Sequence, residues 1–246
     1  MRSPAKKDIF LITTVAIFSI AMGYLESAVV VYIREIYYPE GFAFPLKMMS
    51  ETVMITELFR ELATLVMLAG IGILAGRSRL ERFGFFLLSF GIWDIFYYIF
   101  LYALIGWPES LFTWDILFLL PTTWVGPVLA PCINGLTMVI FSGLIWYFQS
   151  VGALKPVRMK EWTLLIIGSL VLIGAYVEDY VKFMRKEFTF IEIFSPSDAA
   201  KLMESAMQYV PVDFSWWIFW IGQGLILAGI AGWVVSHRKD GKTLRL

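Results

Sequence analysis

The sequence is poor in the side chains that most often bind metals and redox groups. It contains one histidine, His237, and one cysteine, Cys132, in 246 residues. A haem held by two histidines and the Glu-x-x-His pattern of di-iron bundles are therefore excluded, as are an intrachain disulfide and a cysteine-rich zinc site. No lysine lies in the interior of a predicted membrane span, since Lys182 falls at the very end of one, and this argues against a retinal Schiff base. We predict no haem, no zinc and no retinal.

Nucleotide-binding motifs are missing as well. Neither the Walker pattern nor the G-x-G-x-x-G fingerprint occurs in the chain. No internal repeat of the kind that builds transporters from two related halves is visible. We therefore predict that the protein binds neither nucleotide nor nucleic acid.

Charge is scarce and apolar residues are abundant. Charged residues make up 16% of the chain, 59% of it is hydrophobic, and mean hydropathy is +0.74. Several apolar runs exceed the roughly 20 residues that a helix needs to cross a bilayer. In lipid these runs must be helices, because a helix satisfies its own backbone hydrogen bonds. We predict an all-α fold, a polytopic membrane helical bundle with the lipid bilayer as its surroundings.

Six membrane spans account for most of the chain, which we interpret as a single membrane domain over 1–246. The first span follows a basic segment as a signal peptide does, but its apolar run is too long for a signal core, and we expect it to stay uncleaved. A short apolar segment between two prolines, about 109–120, predicts a half-inserted or interfacial helix. An amphipathic helix is predicted on the outer surface at about 197–210. The spans are predicted at about 9–33, 52–75, 83–106, 125–149, 162–184 and 213–236.

Basic residues predict the orientation of the bundle. Most of the 20 lie at the termini or in the loops on the same side, so both termini should be cytoplasmic under the positive-inside rule. We expect a bacterial or archaeal cytoplasmic membrane. The basic residues on that side are Arg2, Lys6, Lys7, Arg77, Arg79, Arg82, Lys155, Arg158, Lys160, Arg238, Lys239, Lys242 and Arg245.

Acidic residues concentrate toward the opposite, outer side, and the segment TELFRE, residues 56–61, places two of them inside a span. Glu57, Arg60, Glu61 and Thr64 follow the spacing of one helix face. Arg60 can donate hydrogen bonds to both neighbouring carboxylates, or to acids on adjacent helices. An ionised acid at such depth costs about 2.5–3.5 kcal/mol on insertion scales, so these side chains should face the bundle interior.

Further candidates lie in other segments. Glu26 and Asp94 are also embedded, and we predict that they meet Arg60 and Glu61 in the outer half of the membrane. Tyr97 and Tyr98 follow Asp94 in the third span, and Asp115 lies in the apolar outer segment. These residues and Glu57 are candidates for an ion, proton or substrate site. A buried polar network that only holds helices together is the alternative.

One embedded arginine cannot neutralise four embedded acids. Some of the acids are therefore protonated, or a cation or a water-filled cavity supplies the missing compensation. A metal at Glu26, Glu61 and Asp94 would meet oxygen ligands only, which favours Na⁺, Ca²⁺, Mg²⁺ or Mn²⁺.

Three functions fit these features. Cation- or proton-linked transport through the carboxylate-rich site is the first. A non-catalytic subunit of a larger membrane complex is the second, and a membrane-embedded enzyme acting on a lipid or amphiphile from the outer side is the third. Other membrane subunits or a homo-oligomer remain open as partners.

Overall fold

The fold is a bundle of long apolar helices, as predicted. A computed structural model describes residues 4–194 and 199–238. Six of its helices are long and apolar enough to cross a membrane, so the chain is an integral membrane protein. The elements in chain order are α1 (Pro4–Tyr37), α2 (Glu51–Ala75), α3 (Arg79–Ile105), β1 (Trp114–Phe118), β2 (Trp124–Pro127), α4 (Leu129–Ser150), α5 (Met159–Met184), α6 (Phe190–Phe194), α7 (Ala199–Ala206) and α8 (Trp216–Arg238).

The six spans alternate in direction, so their connections fall at two ends of the bundle. We call the end that carries both termini the proximal face. The end that carries the connections 38–50, 106–128 and 185–215 is the distal face. Helix α1 extends past its predicted end by one turn, to Tyr37. Ser50 and Ser78 cap α2 and α3 by accepting hydrogen bonds from the backbone amides of Val53 and Glu81.

The segment 109–120 is not a helix, and the fourth span begins later than predicted. Strand β1 pairs with β2 as an antiparallel hairpin, with Asp115 opposite Gly126. Residues 124–127 are therefore strand, and helix α4 begins only at Leu129. The hairpin is possible at this depth because protein surrounds it: Val125 is 1% exposed and packs with Tyr180 and Met184. Irregular backbone near a membrane is tolerated where protein satisfies it.

The predicted amphipathic helix at 197–210 is present in shortened form as α7, and residues 195–198 lie outside the described part. Its apolar face does not stand alone on a surface. Leu202 and Ala206 pack onto the cluster around Tyr180, Ile193 and Tyr209. Helices α6 and α7 thus cover the distal end of the bundle.

Helix α3 lies at the centre of the first four spans. It packs against α1, α2 and α4, whereas α1 and α2 barely touch each other, and α5 packs mainly against α8. Helices α3 and α4 approach each other closely at two glycines. A Cβ atom on Gly91 would lie 2.5 Å from the carbonyl oxygen of Gly135. This contact fixes the relative height of the two helices and of the polar residues next to the glycines.

The Gly91 contact predicts a specific sensitivity. We expect Gly91→Ala to lower the melting temperature by several degrees, because overpacking costs about 1–3 kcal/mol and backbone cannot move aside as a side chain does. Gly143→Ala is the matched control, since a Cβ there meets nothing within 4 Å. Thermal unfolding of the two purified variants measures the difference. Equal melting temperatures would show that α3 and α4 do not approach this closely.

Candidate functional site: an acidic cavity at the distal end of the bundle

A cavity of about 550 Å³ lies between α1, α2, α3, α4 and α5, beneath the hairpin and helices α6 and α7. We call it the distal cavity. Toward the proximal face it ends on packed side chains, with Met22, Leu68 and Trp93 forming one buried cluster. All eight residues proposed from the sequence line it. They are Glu26, Glu57, Arg60, Glu61, Asp94, Tyr97, Tyr98 and Asp115.

Arg60 is the centre of the first polar group in the cavity. Its Nε and Nη2 atoms lie 2.8 and 2.7 Å from Oε2 of Glu57, one turn earlier on α2. Its Nη1 atom pairs with Glu26 on α1, and the Thr64 hydroxyl donates to the other oxygen of Glu26 at 3.3 Å. We call these four residues the Arg60 cluster. It links α1 to α2, which have little other contact.

Glu61 does not join the Arg60 cluster through a hydrogen bond in the described structure, although it neighbours Arg60 in sequence. Its two carboxylate oxygens accept from the backbone amide of Leu119, at 2.9 and 3.2 Å. Leu119 follows β1 in the turn of the hairpin. The carboxylate therefore satisfies an amide that the turn leaves without a strand partner. Glu61 thereby ties α2 to the hairpin.

Arg34 and Asp115 form a second ion pair, nearer the distal face. Arg34 Nη2 lies 3.3 Å from Oδ1 of Asp115, and the Tyr98 hydroxyl donates to Oδ2 of the same carboxylate at 3.1 Å. The guanidinium also stacks 3.6 Å from the ring centroid of Trp107. Burial raises the pKa of Asp115 to about 6, and Arg34 and Tyr98 oppose this rise. The charge of this pair is therefore sensitive to pH just below neutrality.

Asp94 is the one predicted acid to which the described residues offer neither a hydrogen bond nor an ion pair. Its Oδ2 atom lies 3.4 Å from the point where a Cβ on Gly135 would be placed. The carboxylate therefore lies against the backbone of α4, between α3 and α4. Asp94 lies one helical turn, about 6 Å, below Tyr98, so it occupies the deeper part of the cavity.

Four polar atoms on other cavity-lining residues are buried without a hydrogen-bond partner among the described residues. Three are donors and one is an acceptor. They are Arg34 Nη1, Trp93 Nε1, Trp124 Nε1 and Asn134 Oδ1. Buried polar groups are usually paired, so a concentration of such atoms at one cavity indicates a place where another molecule or water completes the bonding.

The charges of the cavity do not balance. Five carboxylates line it, against the two arginines and Lys47, whose side chain is exposed at the distal end. Both arginines already contact carboxylates. The distal cavity therefore carries a formal excess of two negative charges.

The sequence-based picture missed several lining residues. Arg34 lies one residue beyond the predicted end of the first span, so the sequence places it in a loop. The repeat of Glu26, Val30 and Arg34 every four residues was the signal that α1 continues, and all three line the cavity. Asn134 and Trp124 carried no signal of this kind, since each is an isolated polar or aromatic residue in its segment.

The predicted oxygen-ligand metal at Glu26, Glu61 and Asp94 stays a prediction. Glu26 is occupied by Arg60 and Glu61 by Leu119. Within residues 4–194 and 199–238, no three His, Cys, Asp or Glu side chains form a group suited to a metal ion.

Comparisons of the chain with protein-family models, with curated proteins and with solved structures found no match.

Proposed function

We propose that this protein is a secondary transporter that binds a small substrate in the distal cavity and couples its movement to a proton or another cation. The observation that carries this proposal is Asp94, a carboxylate that has no hydrogen-bond or ion-pair partner in the described part of the chain and lies at the deep end of a cavity with excess negative charge. Ionisable groups embedded in a membrane domain are functional by default, and they mark ion and substrate pathways.

The coupling follows from charge compensation. An ionised Asp94 needs a positive charge beside it, and a proton or a bound cation can each provide one. The two compete for the same carboxylate, so binding of one favours release of the other. A cavity with this property exchanges a proton for a cation when it is exposed first to one side and then to the other.

The shape of the bundle supports entry from the distal side. The Met22, Leu68 and Trp93 cluster closes the proximal side, and a further cluster of Val15, Phe85 and Leu88 lies beyond it. The covering segments α6 and α7 contribute Ile193, Leu202 and Met203 to the cavity wall. Transport requires these distal segments and the proximal clusters to open in turn.

Proteoliposomes containing a pH-sensitive dye test the proposal. Tyramine, succinate and glucose are added outside as a cationic, an anionic and a neutral probe under an imposed pH gradient. We expect one probe to accelerate the change of internal pH well beyond its rate in liposomes without protein, which report passive entry. Rates equal to those of empty liposomes with all three probes would overturn the proposal.

We further propose that the distal face is the outer face of a bacterial or archaeal cytoplasmic membrane, with both termini inside. In a Cys132→Ser background, a membrane-impermeant maleimide should label Glu109→Cys in intact cells but leave Arg79→Cys unlabelled. Both positions are exposed, at the distal and proximal ends respectively. Labelling of both after permeabilisation is the control. The opposite pattern in intact cells would invert the orientation.

A further inference from the structure

We infer that the substrate of the distal cavity is a small organic cation, a protonated amine on an apolar or aromatic body that carries an acceptor oxygen. This inference rests on the proposed transport function and specifies its substrate class. It combines the charge of the cavity, the polar atoms without partners, and the aromatic lining.

The charge of the cavity selects a cation. Five lining carboxylates exceed the lining basic residues by two. Arg34 and Arg60 are already paired with Asp115 and with Glu26 and Glu57. An anionic substrate would have to displace one of these carboxylates, whereas a cation lowers the charge excess on binding. Electrostatic complementarity therefore favours a positive group.

The place for the positive group is the junction of α3 and α4. Asp94 on α3 faces the backbone of α4 at Gly135, and the preceding residue, Asn134, has its Oδ1 atom buried without a partner among the described residues. The Asn134 amide nitrogen donates to the Tyr176 hydroxyl at 2.6 Å. A primary ammonium carries three donors and no acceptor, which matches two unpaired acceptor groups.

Aromatic rings surround the same region. Trp93, Tyr97, Tyr98, Trp124 and Tyr176 all line the cavity. Ammonium groups are attracted to the faces of such rings. The apolar side chains of Phe90, Leu117 and Met138 complete the wall. A cavity of about 550 Å³ holds a molecule of many atoms, well above the size of an inorganic ion.

Two indole donors indicate the second polar feature of the substrate. The Trp93 and Trp124 Nε1 atoms are buried and lack a hydrogen-bond partner in the described part of the chain, and Trp93 is only 6% exposed. An indole N–H can only donate. An oxygen on the substrate body, in a hydroxyl or carbonyl group, would accept from one of them. The Arg34 Nη1 atom offers a third such donor nearer the distal face.

Binding to the purified full-length protein in lipid nanodiscs tests this inference with four probes of matched size. Tyramine has both proposed features. Phenethylamine lacks the oxygen, 4-ethylphenol lacks the charge, and 4-hydroxyphenylacetate reverses the charge. By isothermal titration calorimetry, we expect tyramine to bind at least tenfold more tightly than each of the other three.

Variants connect the binding to the named groups. Asp94→Asn should weaken tyramine binding at least tenfold, and Asn134→Ala should weaken it severalfold while leaving 4-ethylphenol unchanged. Asp8→Asn is the control, because it also removes one carboxylate but lies at the proximal end in a partly exposed pair with Arg77. It should bind tyramine as the wild type does.

The outcomes separate this inference from the proposed function. Tyramine binding no tighter than that of 4-ethylphenol or 4-hydroxyphenylacetate overturns the inference, as does unchanged binding in Asp94→Asn. A protein that moves protons with succinate or glucose but does not bind tyramine is a transporter of another substrate class. If the protein binds tyramine through Asp94 but no probe changes the internal pH, the inferred amine site stands and the proposed transport function is overturned.

Discussion

Arg60→Met should yield little folded protein, and what folds should be less stable by about 3–5 kcal/mol, the range for removing one partner of a buried ion pair. The reason is that Arg60 contacts two carboxylates, Glu26 on α1 and Glu57 on α2. When the guanidinium is removed, the two carboxylates remain within the membrane with no positive charge from Arg60 beside them. Fluorescence-detected size-exclusion chromatography and thermal melting in detergent measure the loss.

The rescue of this variant distinguishes charge from packing. Arg60→Met combined with Glu26→Gln and Glu57→Gln removes the stranded charges, and we expect it to recover most of the monodisperse protein. Arg77→Met is the control, because Arg77 also pairs with an acid but its side chain is 65% exposed. Exposed pairs contribute about 0–1 kcal/mol. A wild-type melting curve for Arg60→Met would show that the Arg60 cluster does not hold α1 to α2.

The spans and the polar face of α2 were predictable because each is a property of one helix. Apolar length fixes the spans to within a few residues, and the spacing of Glu57, Arg60 and Glu61 fixes which side chains share a face. The partner of each charge was not predictable in the same way. Arg60 pairs with Glu57 and Glu26, whereas Glu61 turns to the backbone of Leu119. That choice depends on how the hairpin fits against α2, which no local pattern encodes.

The hairpin itself was mistaken for a helix for a physical reason. Residues 109–120 are apolar and bounded by prolines, and hydropathy cannot tell a short buried strand from a short helix. What stabilises the strand is supplied from elsewhere in the chain. Strand β2 pairs with β1, and the Glu61 carboxylate accepts a hydrogen bond from the backbone amide of Leu119 in the turn, at 2.9 Å. The Arg34–Asp115 pair also depends on distant parts of the chain. Its members are separated by 81 residues, so no local sequence pattern indicates that they meet.

Asp94→Asn should fold like the wild type and abolish probe-dependent proton movement, reducing the internal pH change in proteoliposomes to that of empty liposomes. Asparagine has nearly the shape of aspartate, so the close approach of Asp94 to Gly135 is kept. No ion pair is broken by the change, because none with Asp94 occurs among the residues that the structure describes. What is lost is a group that can exchange a proton for a cation. The melting temperature and the flux rate of the same preparation provide the two readings.

The comparison with Glu61→Gln shows whether this effect is specific to Asp94. The carbonyl oxygen of a glutamine at position 61 can still accept the hydrogen bond that the Leu119 amide donates to Glu61. The hairpin should therefore keep its contact with α2, while the cavity loses one negative charge. We expect this variant to retain part of the flux. If Asp94→Asn also retains flux, the deep carboxylate is not the coupling group. If Asp94→Asn loses flux only together with its thermal stability, Asp94 serves the contact between α3 and α4, and the acidic cavity is a structural network rather than a transport site.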